Sequence, residues 1–202
     1  MLKDSAITQP IPNLVEHELL ILAQIVALDA PASIAHALTT HSLLQRTLRN
    51  ESIRLIIGDN HFDAYAIARA ALHQQINPGT VLEQIELSRA FTCHQLHRRI
   101  LTLDDKRLKR WHALYVTGLL DTFYDESISF DEAARLLQEL LVRLKYVASG
   151  GLPVLITLSP SKQLARTSLA KMVAQNVDAY WRIDRDTLTQ PTSTHSQMAL
   201  AL

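Results

Sequence analysis

Glycine is scarce in this chain: five occur in 202 residues, and none precedes Gly58. A loop that wraps phosphate oxygens in backbone N–H groups depends on glycine, because only a residue without Cβ lets the backbone close that tightly. The stretch before Gly58 therefore holds no glycine-rich phosphate cradle. Cysteine is nearly absent as well. The lone Cys93 excludes an internal disulfide and fits a reducing compartment. Net charge is missing too: twenty basic residues balance twenty acidic ones. Long-range attraction to nucleic acid is then weak, and any DNA contact must come from a local patch or from a partner. No apolar run is long. Residues 19–28 are interrupted only by Gln24, and such a run is too short to span a bilayer. Glu16 and Glu18 stand where a secretory signal would carry basic residues, so the run reads as a buried strand. The expected setting is the cytoplasm, on the nucleoid if DNA is bound, or the nucleus in a eukaryote, with no membrane association.

What is present is an alternation. Short apolar runs at 19–28, 53–57, 85–87, 113–120, 153–158 and 179–183 are separated by helix-like stretches at 33–48, 64–75, 92–103, 130–147 and 162–174. Continuous apolar strands between amphipathic helices predict a mostly parallel sheet covered on both faces, a three-layer α/β/α domain. Asn77-Pro78-Gly79 stops one helix, and Gly150-Gly151-Leu152-Pro153 ends the longest and leads into a strand. Ser129 or Asp131 is placed to cap that longest helix. The expected organisation is a mobile N-terminus over 1–13, one domain over 14–187 and a mobile Thr/Ser/Gln-rich tail over 188–202.

Ligands of such sheets sit beyond the carboxyl ends of the strands, so the residues after each strand matter most. After the second strand comes Gly58-Asp59-Asn60-His61-Phe62-Asp63, and after the third Ser88-Arg89-Ala90-Phe91-Thr92-Cys93-His94-Gln95-Leu96. Together, in this order, the two blocks resemble the core of RecA/RadA-type recombinases and their paralogues, over roughly 19–183. The resemblance implies a phosphate loop, G-x-x-x-x-G-K-[ST], after the first strand. In this chain that place is 30–37. Ala30 and Ala35 occupy the glycine slots, His36 the lysine slot and Ala37 the hydroxyl slot. Histidine is shorter than lysine and mostly neutral at pH 7, and Ala37 offers Mg²⁺ no oxygen. The slot of the metal-binding aspartate at the end of the fourth strand holds Thr117, with Asp121 four residues later. Asp59 stands near the family's water-activating glutamate. The implied protein is a pseudo-ATPase without catalytic residues, cofactor or metal.

Other residue groups read as structure. Cys93, His94 and His97 have no second Cys/His pair to complete a zinc site. The acidic pairs Asp104-Asp105, Asp125-Glu126 and Asp131-Glu132 fall where loops and helix starts are expected. Two basic sets are candidate DNA contacts: Arg98, Arg99, Lys106, Arg107, Lys109 and Arg110, beside Trp111; and Lys162, Arg166 and Lys171 after the fifth strand. The expectation is a non-catalytic accessory subunit in DNA recombination or repair. It docks on a related ATPase or repair enzyme as a hetero-oligomer, and touches DNA weakly on its own. One alternative is an adaptor of the same fold with no DNA role. Another is an enzyme working at the strand ends through His36, Asp59 and Asp121.

Overall fold

The computed structural model describes residues 24–124, 127–159, 166–183 and 188–189. Six parallel strands follow one another through helical crossovers: β1 (Ile25–Asp29), β2 (Ile53–Ile57), β3 (Ile85–Arg89), β4 (Ala113–Thr117), β5 (Val154–Leu158) and β6 (Ala179–Ile183). A two-residue strand, β7 (Leu188–Thr189), pairs antiparallel with β6. The order across the sheet is β3-β2-β4-β5-β1-β6-β7. The helices are α1 (Ala32–Leu48), α2 (Ala64–His73), α3 (Pro78–Glu83), α4 (Cys93–Leu101), α5 (Asp105–Leu108), α6 (Phe130–Ser149) and α7 (Thr167–Ala174).

The central strands β1, β4 and β5 are buried along their whole length because both faces are covered, whereas β3 at the edge is half-buried, and successive side chains serve opposite layers. Ile25, Ala27, Ile56, Leu114, Val116 and Ile156 pack with α4, α6 and α7. Val26, Leu28, Leu55, Ile57, Tyr115 and Leu155 pack with α1, α2 and α3. The expected three-layer architecture is present. Connections leaving β1 and β2 thus run over one face, and those leaving β3, β4 and β5 over the other. Neighbouring strands β2 and β4, and likewise β1 and β5, send their chains to opposite faces, which opens crevices at their carboxyl ends.

Several boundaries differ from expectation for local reasons. The run at 113–120 is strand only to Thr117, since Gly118 at φ +59° turns the chain while Leu119 and Leu120 stay buried. Asn77-Pro78-Gly79 does more than stop a helix. Asn77 Oδ1 accepts from the Gly79 N–H at 2.8 Å and, with proline in the first turn, starts α3. Ser129, rather than Asp131, caps α6, its Oγ accepting from the Glu132 N–H at 3.2 Å. The strand expected at 19–28 is described from 24 onward and ends one residue later, at Asp29. The tail expected from Leu188 begins instead with β7. The rest of that tail, the segment 1–13 and Lys162 lie outside the described residues.

Candidate functional site

Three strand ends and one helix converge on one polar cluster. Asp59 follows β2, Thr117 closes β4, Ser159 follows β5, and His36 reaches in from the second turn of α1. Two glycines set the spacing. Gly58 donates its N–H to Thr117 O at 2.8 Å, and a Cβ on it would lie 2.6 Å from Gly118 O. Gly118 donates to Thr157 Oγ1 at 3.0 Å, which fastens the turn after β4 to β5. The chains leaving β2 and β4 therefore run closer together than side chains would allow.

Asp59 is the centre of the cluster. Its Oδ2 lies 2.9 Å from His36 Nε2, and since a carboxylate only accepts, the imidazole carries a proton on that nitrogen. Its Oδ1 accepts from the His61 N–H at 3.1 Å and from Thr117 Oγ1 at 3.3 Å. The loop between them turns at Asn60, whose φ of 57° is a backbone conformation that asparagine tolerates, and whose side chain accepts from Arg89 Nη1 at 3.1 Å. The rings of His36 and His61 stack at 3.7 Å. Asp121 lies alongside, accepting from Ser159 Oγ at 3.5 Å. Burial is the main force holding the Asp121 carboxyl above its ordinary value, and the nearby Asp59 charge adds to it.

The sequence placed His36, Asp59, Thr117 and Asp121 at strand ends, and the fold gathers them in one place. Ala30, Ala35 and Ala37 belong to the same region, but the eight residues 30–37 do not form a loop. β1 ends at Asp29, α1 begins at Ala32 and Pro31 is its N-cap. A backbone already in helical hydrogen bonds at Ile34 and Ala35, which donate to Pro31 O, has few N–H groups left for an anion. His36 is accordingly a helical side chain turned toward Asp59. What this arrangement does chemically is hold protons: a histidine–carboxylate pair beside a second carboxyl biased toward its neutral form.

A second polar knot escaped the sequence reading. Asp29 is buried at the end of β1, and its Oδ2 accepts from Tyr180 OH at 2.7 Å and from Arg182 Nε and Nη2 at 3.1 and 2.9 Å. Burial and the Asp29 charge push the Tyr180 phenol well above its usual range, and the bond to Asp29 raises Arg182 as well. The only signal in sequence was alternation in Tyr180-Trp181-Arg182, which puts both polar groups on the same side of β6.

The candidate DNA contacts divide between the two ends of the sheet. Arg98, Arg99, Lys106, Arg107, Lys109 and Arg110 are exposed, but they lie between the last turn of α4 and the start of β4. That is the amino end of the strands, opposite the cluster. Arg107 is tied there, donating to both Glu86 oxygens at 2.9 and 3.0 Å and lying over the Trp111 ring. In the second set Lys171 is exposed, whereas Arg166 is only 6% exposed. Its guanidinium donates to Phe123 O and to Ile128 O, so it serves the loop before α6 rather than solvent. As an exposed DNA contact Arg166 is corrected: it is a buried brace.

His97 Nε2 is bound to Glu139 Oε2 at 2.8 Å, and Cys93 is buried under α4. Among the described residues no three His, Cys, Asp or Glu side chains are placed to hold a metal ion, and no helix is long and apolar enough to cross a membrane. No protein-family model matches the chain, and no curated protein matches it.

Proposed function

We propose that this chain is a non-catalytic accessory subunit on a RecA/RadA-type recombinase frame, acting in DNA recombination or repair by docking on a partner ATPase or repair enzyme. The observation that carries the reading is the occupation of the strand-end crevice by the chain itself. α1 starts where a phosphate loop would lie, and the Asp59 carboxylate is already met by His36, Thr117 and the His61 amide. Phosphoryl transfer needs a cradle, a cation and a carboxylate free to act on them. The two blocks that carry the resemblance follow the neighbouring strands β2 and β3 and meet where Arg89 Nη1 donates to Asn60 Oδ1 at 3.1 Å, which supports reading them as one unit.

The test has two parts. Calorimetric titration with Mg²⁺-ATP is expected to give no binding heat, and turnover of ATP would replace this reading with the enzyme one. Affinity purification of the tagged chain at low salt, with nuclease-treated controls, is expected to retain a recombinase, helicase, nuclease or repair polymerase.

A second reading, an adaptor with no DNA role, has its own observation. Arg166 is turned inward, Arg107 is held by Glu86, and the remaining exposed cations of the first set sit at the far end of the sheet from the resemblance-bearing loops. Recovery of only non-DNA proteins would favour it.

A further inference from the structure

Helix α2 carries an exposed stripe that no other described residue covers. Tyr65 is 83% and Leu72 62% exposed, and Arg69 between them is exposed as well. Positions four and three apart on a helix lie above one another, so the three side chains form one line along its outer face. The opposite face is spent on the core through Ile67 and Ala71.

Charge separates this line from the exposed aromatic side chains of α6, Tyr146 and Phe130. Tyr146 on α6 has Arg143 over its ring and a hydrogen bond to Asp105, and Phe130 is followed by Asp131 and Glu132. Around α2 there is no acid at all between Asp63 and Glu83. Among the described residues Arg69 makes no hydrogen bond, ion pair or ring contact. A cation flanked by a tyrosine and a leucine, without a carboxylate of its own, is the complement of a carboxylate flanked by apolar residues.

We propose that the Tyr65–Arg69–Leu72 line on α2 is a docking surface for an amphipathic helix of a partner protein, one that presents an Asp or Glu between two large apolar side chains. Tyr65 and Leu72 would be the apolar anchors and Arg69 the selector, since a guanidinium grips a carboxylate bidentately while rejecting a lysine in its place. This deepens the docking part of the reading above and rests on it only for the existence of a partner. A partner ATPase could be retained through another face while the α2 surface fails.

The test is a selection from a displayed library of short helical peptides on the full-length protein, in parallel with the Tyr65→Ser/Leu72→Ser and Arg69→Glu variants. All three substitutions are at exposed positions, and circular dichroism melts would check that the variants stay folded. The expected result is enrichment of peptides with a carboxylate between two apolar positions, lost at least tenfold on the double variant. On Arg69→Glu the central carboxylate should be replaced by Lys or Arg. No enrichment over the double variant, or enriched peptides indifferent to Arg69→Glu, would overturn the proposal. So would binding that appears only after Glu16→Lys and Glu18→Lys, because the chain's own acidic-apolar segment around Leu19 would then be the occupant.

Discussion

Gly118 approaches Asp59 so closely that a Cβ built on the glycine would lie 2.4 Å from the Asp59 Cβ, and 2.6 Å from Asp121 Oδ2. The chain after β4 can pass the chain after β2 only without a side chain there. Gly118 also sits at φ +59°, a conformation that costs other residues energy. Gly118→Ala is expected to destabilise the fold by about 2–4 kcal/mol, strain and overpacking combined. Gly151 has a positive φ but nothing within 4 Å of a built Cβ, so Gly151→Ala should cost only about 1 kcal/mol. Urea unfolding of the two variants checks the difference.

The Asp121 carboxyl gives a pH signature. Its folded-state value is raised, chiefly by burial and then by Asp59, so the folded state holds this proton more tightly than the unfolded chain does. The stability it contributes is full below the unfolded carboxylate range and is lost as pH rises through the folded value. Asp121→Asn stays neutral throughout. The variant should therefore be more stable than the parent at pH 7, with the gap narrowing on acidification. Thermal melts across pH 4 to 7 measure it, and a constant gap would contradict the assignment.

Arg166 separates a brace from a nucleic-acid contact. Removing a buried guanidinium that serves two backbone carbonyls leaves both without their donor, and Arg166→Ala is expected to cost about 2–4 kcal/mol. Lys171→Ala, at an exposed position, should stay within about 0.5 kcal/mol of the parent. Denaturation midpoints read the contrast directly. Any loss of DNA-damage survival from Arg166→Ala would have to be compared with that loss of stability.

Ser42 Oγ and Tyr115 OH meet at 2.7 Å inside the layer under α1. Burial pushes the Tyr115 phenol up to about 12, so this tyrosine should not ionise in a spectroscopic titration through the ordinary tyrosine range. Tyr115→Phe leaves the serine hydroxyl without its partner, at a cost of about 1–3 kcal/mol. Adding Ser42→Ala should cost less than the sum of the single changes. A double-mutant cycle by urea unfolding tests that coupling.

The sheet was legible in the sequence because most of its strands are buried on both faces and read as short, mainly apolar runs between helix-like stretches. Ile53–Ile57 and Ala179–Ile183 fall where the pattern put them. Short helices were harder. α3 and α5 have six and four residues, too few to show a period, and their caps at Asn77 and Asp104 read equally well as turns. His36, Asp59 and Asp121 were visible as residues after strands. Their meeting was not, since it depends on β2 lying beside β4 and on two glycines in contact, neither of which has a local signature. The inward turn of Arg166 was hidden for a related reason: its partners are carbonyl groups, which every sequence has everywhere.

Strand β1 comes early in the chain but lies between β5 and β6, with Ile25 opposite Val154 and Val26 opposite Ala179. During synthesis it must wait, with both edges unpaired, until nearly all of the domain has left the ribosome. The β3-β2-β4 part of the sheet is complete long before then, and it too has an open edge along β4 until β5 arrives. Pairings this distant in sequence are slow to form and leave sticky strand edges exposed meanwhile. The sheet is thus finished by the insertion of β1, a strand made long before the two neighbours it pairs with.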